Sequence, residues 1–231
     1  MDIVHTEEKP KQHVTLNPPM LSRLEKSEWR RRLWHVFPGL FAFLPWLIPH
    51  RDPISPTLQL IVLTVTAGLG IGIFLRYRFI ARKDDTQRME AVLGYSMAVL
   101  ITVLIFPAHL ELGLTVLAIL AFGDGSATLV GRLLGGPSLP WNSEKTWSGF
   151  FAFLFVGGMA ASAIYWGETH MNPETGNASF PFGTALICGM VTALVATVAE
   201  SLHSRINDNI RVGLSAAVTV AVMHGIMIGW S

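Results

Sequence analysis

Asp124, Lys145, Glu200 and Asp208 carry the chemistry of this chain, and each stands at or beside an apolar run. Asp124 lies in Gly123-Asp124-Gly125-Ser126, within the apolar stretch Leu110–Leu134. An ionisable residue inside such a stretch costs about 2.5–3.5 kcal/mol on membrane insertion, which makes it a functional candidate. The flanking glycines predict a broken helix, tolerated at membrane depth where backbone lines a polar cavity. N–H groups bared at Gly123 and Gly125 would suit an anion. The competing reading makes Asp124 the cap of a second half-helix. Downstream come Gly131-Arg132, Gly135-Gly136-Pro137 and Glu144-Lys145-Thr146. Lys145 suits phosphate, or snorkels at an interface. Thr146 either hydrogen-bonds phosphate or caps the next span. Glu200 closes the run Phe182–Leu202, and Asp208-Asn209 sits in the short turn before the last one. Alone, Asp208-Asn209 also reads as a helix N-cap. Together, Asp124, Glu200 and Asp208 are hard oxygen ligands suited to Mg²⁺ or another divalent cation, with substrate phosphates completing the shell.

The elements that must position these residues are membrane spans. Only 14% of the 231 residues are charged, against about 25% in soluble domains. The net charge of +1 excludes a general nucleic-acid partner. Cys188, the single cysteine, sits in an apolar run and reads as a buried hydrophobe. About 20 apolar residues cross a bilayer. Seven stretches qualify: Leu33–Pro49, Thr57–Leu75, Ala91–Pro107, Leu110–Leu134, Trp147–Gly167, Phe182–Leu202 and Ile210–Trp230. The expected fold is therefore all-α and polytopic, with about seven transmembrane helices, the fourth broken at Gly123-Asp124-Gly125. Residues 1–19 read as a flexible cytoplasmic tail, 20–32 as a basic amphipathic interfacial segment, and 33–231 as the transmembrane catalytic domain. No secretory signal pattern is present at the start.

Loop charge alternates. Arg30-Arg31-Arg32, then Arg76, Arg78, Arg82, Lys83 and Arg88, then Arg132 and Lys145, then Arg205 and Arg211 fall on one side. The opposite loops are poor in Lys and Arg. The positive-inside rule puts the N-terminus and the four chemical residues on the cytoplasmic side. A bacterial or archaeal plasma membrane or the endoplasmic reticulum would suit. Glu90, Arg32 and His35 are interfacial residues that can support the site. His109 and Glu111 face the other side, and His224 reads as packing or an interhelical hydrogen bond.

The run Gly123-Asp124-Gly125-Ser126-Ala127, Gly131-Arg132, Gly135-Gly136, Glu144-Lys145-Thr146-Trp147-Ser148-Gly149 resembles the core motif of the CTP-dependent lipid-alcohol kinases. That family includes dolichol kinase, phytol kinase and the yeast-type diacylglycerol kinase. Ala199-Glu200-Ser201 with Asn207-Asp208-Asn209 is similar to its second motif, and Arg31-Arg32 with His35 to its entry to the first span. The central stretch is also distantly similar to phosphatidate cytidylyltransferase, but the basic-acidic C-terminal signature of that enzyme is absent from the sequence.

The resemblance implies transfer of the γ-phosphate of CTP to the hydroxyl of a membrane lipid alcohol: a polyprenol such as dolichol, phytol or diacylglycerol. In that reading Asp124, Glu200 and Asp208 hold the metal. Gly123, Gly125, Arg132, Lys145, Thr146 and Asn209 bind nucleotide, and Asp124, Lys145 and Asp208 are catalytic. The alternatives are a CDP-lipid synthase and an ion-coupled transporter. The crowding of polar residues on one face argues against the transporter. A homodimer is compatible with the sequence.

Overall fold

The computed structural model describes residues 36–47, 54–80, 86–106, 109–171, 181–204 and 206–230. The expected tail, the interfacial segment, Arg32 and His35 lie outside them. A 3-10 segment, Phe41–Leu47, carries Pro45 within it. Six long helices follow: α1 (Pro56–Ile80), α2 (Thr86–Ile105), α3 (Leu110–Leu134), α4 (Trp147–His170), α5 (Phe182–Ser201) and α6 (Asp208–Met227). A short antiparallel hairpin, β1 (Ser138–Leu139) and β2 (Asn142–Thr146), departs from the all-helical expectation. Gly135 and Gly136, at φ 62° and 107°, make the turn out of α3, a conformation that costs other residues a Cβ clash. Pro137 then excludes further helix.

Among the described residues four helices, α3 to α6, are long and apolar enough to cross a membrane. Their burial pattern suits lipid rather than water. Leu214, Val218, Val222 and Ile226 line an exposed face of α6, while Thr115, Ser162, Thr192 and Thr197 are buried. Each of those hydroxyls donates to the carbonyl four residues earlier, at 2.6–2.7 Å. Buried donors are thereby satisfied where no water is at hand. α3 is central, with Leu112, Val116, Ile119 and Leu120 fully buried.

α3 does not break at Gly123-Asp124-Gly125. Gly123 and Asp124 both have right-handed helical dihedrals. The irregularity is instead a π-helical turn, Ile119–Gly123, and α4 carries a second, Phe153–Gly157. The two turns lie side by side: a Cβ on Gly157 would come 3.0 Å from Gly123 Cα. The Ser126 hydroxyl lies 2.9 Å from the Gly123 carbonyl oxygen and 3.1 Å from that of Ala152. Widened turns loosen the backbone ladder. Ser126 lies within hydrogen-bonding reach of a carbonyl on each helix beside the two widened turns.

Small residues set the other contacts. A Cβ on Gly189 of α5 would overlap the Ser162 hydroxyl and come 2.5 Å from the Ser162 nitrogen. Gly189→Ala should lower stability by about 1–3 kcal/mol. Gly183→Ala, where a Cβ meets nothing within 4 Å, should change it by less than about 0.5 kcal/mol. Thermal unfolding of both variants in detergent is the check, and equal melting temperatures would refute the packing argument.

Candidate active site

The hairpin carries Lys145 to the ends of α5 and α6. Asn142 Nδ2 donates to the Ser201 carbonyl at 3.0 Å, and Trp141 Nε1 to the Ser201 hydroxyl at 3.1 Å. These bonds latch the hairpin onto the last turn of α5. Three residues beyond Asn142, the Lys145 ammonium pairs directly with Glu200 Oε1 and lies 3.4 Å from Asp208 Oδ2. Glu200 is buried, with 4% of its surface exposed, so its charge depends on this partner.

α6 begins with Asn207 as its cap: the Asn207 side-chain oxygen accepts from the Asn209 backbone N–H at 3.0 Å. The capping role therefore falls to Asn207, and Asp208 is left for other partners. Arg211, one turn along, donates to Asp208 Oδ1 at 2.7 Å and to the Glu200 carbonyl at 3.4 Å. From its place in the sequence alone Arg211 counts only as loop charge. Its i,i+3 spacing from Asp208 was the available signal.

Asp124 is the first residue after the π-turn of α3, half-buried, and its field reaches both Lys145 and Glu200. Three carboxylates thus face two cationic side chains. Burial of the Lys145 ammonium lowers its pKa, but Glu200, Asp208 and Asp124 outweigh that effect and hold it above the ordinary lysine value of 10.5. The ammonium is the favoured form below that raised pKa and is lost only as pH rises through it. Amine acylation mapped by mass spectrometry against pH should therefore modify Lys145 at higher pH than ordinary lysines. Modification in step with them would show that the carboxylates do not hold it.

The structure distributes the remaining motif residues differently. Thr146 caps α4, its hydroxyl oxygen accepting from the Gly149 N–H at 3.2 Å. Gly131 and Gly149 let α3 and α4 approach: a Cβ on Gly131 would lie 3.0 Å from Thr146 Oγ1, and one on Gly149 2.9 Å from the Ala127 carbonyl oxygen. Gly125 abuts Val36, where a Cβ would lie 2.8 Å from Val36 Cγ2. Gly123 and Gly125 are accounted for by packing, and their backbone stays within the helix. Arg132 ends α3 exposed, and Asn209 is buried. Glu90 lies on α2, its side chain outside the described residues.

Chemically, a lysine and an arginine among three carboxylates, at one end of apolar helices, can bind a phosphate chain and a hard cation beside a lipid. The chain is similar to several curated proteins. It is 28% identical over 214 residues to phytol kinase 1, chloroplastic, of Arabidopsis thaliana, covering 84% of this chain and 66% of the relative. It is 27% identical over 220 residues to a probable phytol kinase, chloroplastic, of Triticum aestivum, covering 88% and 70%. It is 30% identical over 207 residues to probable phytol kinase 2, chloroplastic, of Glycine max, covering 87% and 67%. The chain thus spans about two thirds of the length of these relatives. No family profile and no solved structure matches it.

Proposed function

This chain belongs to the lipid-alcohol kinase family that includes the phytol kinases, and from that premise we propose that it moves the γ-phosphate of CTP onto the hydroxyl of an isoprenoid alcohol such as phytol. The observation that carries the reading is the Lys145 ammonium, held by Glu200 and Asp208 in the field of Asp124, at one end of four membrane-length helices. A water-soluble nucleotide and a lipid hydroxyl can meet at such a place.

Lys145 and Arg211 bind phosphate oxygens in this proposal, with Arg132 and Asn209 in support. The donor set fits a hard divalent cation, because carboxylate oxygens together with substrate phosphate oxygens are the ligands such an ion takes. Asp124, Glu200 and Asp208 would hold Mg²⁺, which would neutralise phosphate charge when bound. Asp124 or Asp208 accepts the hydroxyl proton of the lipid. The lipid oxygen bonds to the γ-phosphorus while the bond from that phosphorus to the β–γ bridging oxygen breaks, releasing CDP. Little covalent work falls to the protein, so positioning and charge supply most of the rate.

The same proposal includes seven spans, adding Leu33–Pro49, α1 and α2 to the four apolar helices, with the site facing the cytoplasm. The charge alternation of the loops supports it.

The test is label transfer. The purified full chain in lipid nanodiscs receives γ-labelled CTP or ATP with phytol, a polyprenol or diacylglycerol. Label in phytyl phosphate, with CTP preferred, is the expected result. Pyrophosphate release with phosphatidate would replace the reading by a CDP-lipid synthase. Absence of label from every lipid would overturn it.

A further inference from the structure

A second polar cluster lies at the other end of the bundle. His109 precedes α3, Glu111 stands in its first turn, and His224 lies in the last turn of α6. The Lys145 cluster sits where α5 ends and α6 begins, with Asp124 inside α3. At 1.5 Å per residue, Asp208 and His224 lie about 24 Å apart along α6, so the two clusters stand toward opposite ends of the bundle.

Glu111 and His224 are each 3% exposed. Both imidazoles converge on one carboxylate oxygen: His109 Nδ1 is 2.9 Å and His224 Nδ1 3.4 Å from Glu111 Oε1. One ligand atom from each of the three residues lies within 4.8 Å of the others. Bonds of about 2.0–2.2 Å to a tetrahedral ion put ligand atoms roughly 3.3 Å apart. The observed spacing brackets that value. The Tyr165 hydroxyl, 2.8 Å from His224 Nδ1, supplies an oxygen beside the three.

Aromatic rings stand against the site, while 21% of the His109 side chain stays exposed. Gly229, at φ 90°, turns the chain after α6. Trp230 then lies over both imidazoles, with ring centroids 5.3 Å from His109 and 5.0 Å from His224, and stacks on Phe106 at 5.4 Å. Two imidazoles and a carboxylate suit zinc or a neighbouring late first-row divalent ion. The alkaline-earth cations favour all-oxygen sets instead.

We propose that His109, Glu111 and His224 form a transition-metal site of the zinc type, tying the start of α3 to the end of α6. It stands apart from the lipid-kinase cluster and does not depend on the reading of that cluster.

The test uses the full chain in detergent, stripped with chelator and titrated with Co²⁺ and Zn²⁺. One equivalent of cobalt should give the intense visible absorption of a four-coordinate ion. Zinc should raise the melting temperature of the wild type, as a ligand bound only to the folded state must. His224→Gln, His109→Gln and Glu111→Gln should each lose the cobalt band and the zinc-induced rise. Their melting temperatures in chelator are the folding control, and Glu111→Gln, which keeps shape and hydrogen bonding, serves if a histidine variant does not fold. A wild type with no stoichiometric cobalt band would overturn the site and leave a hydrogen-bonded network. Equal binding by wild type and Glu111→Gln would overturn it as well.

Discussion

Lys145→Ala should all but abolish lipid phosphorylation, with turnover falling by about 10²–10³-fold, the loss expected when a preorganised charge on a transferring phosphoryl group is removed. It should also lower stability. Glu200 is left buried without its partner, and breaking a buried pair costs about 3–5 kcal/mol. The loss here should fall below that range, because 29% of the Lys145 side chain is exposed and water can reach the gap. The double variant Lys145→Ala/Glu200→Gln separates the two effects. Removing the orphaned charge should restore most of the melting temperature and none of the turnover. Label transfer and thermal unfolding on the same preparations give the answer. Turnover recovered along with stability would reduce Lys145 to a structural strut.

Asp124→Asn is the second large effect, and its signature is the reverse: activity lost, fold kept. Asparagine has the shape of aspartate without its charge, so it can neither hold the cation in the same way nor take a proton. A loss of about 10²–10⁴-fold in turnover is expected from removal of a positioned acid–base group. The helix should be indifferent. Asp124 sits inside a continuous helix, and its backbone carbonyl accepts from the Thr128 hydroxyl at 3.0 Å, a bond the substitution leaves alone. The pKa of Lys145 should drop, since Asp124 is one of the carboxylates that raise it. Acylation at lower pH in the variant than in the wild type is the readout. A variant that melts as the wild type, transfers no phosphate and shows the shifted acylation would match every part of the argument. Near-normal turnover would remove Asp124 from the site.

Much of this architecture is legible in the residues themselves, because membrane insertion is decided locally. The spans expected at Leu110–Leu134, Trp147–Gly167, Phe182–Leu202 and Ile210–Trp230 agree within a few residues with α3 to α6. An apolar run of that length has few other places to go. Asp124, Lys145, Glu200 and Asp208 stand out for the same reason: a charge in or beside apolar sequence must be compensated or put to use.

What the chain alone leaves open are the pairings. Lys145 and Glu200 are 55 residues apart, and they meet because Asn142 and Trp141 fasten a hairpin to Ser201. Arg211 looks like one more loop charge until α6 begins at Asn207 and turns it toward Asp208. Gly123-Asp124-Gly125 reads as a break when α3 is considered alone. In the fold Gly123 meets Gly157 of α4, Ser126 reaches a carbonyl on each helix beside the widened turns, and the helix runs through. Composition and spacing thus determined which segments among α3 to α6 are long and apolar enough to cross a membrane, and which residues are costly there. Tertiary structure decided which costly residues compensate one another, because desolvated charges and helix-to-helix contacts are settled by neighbours distant in sequence.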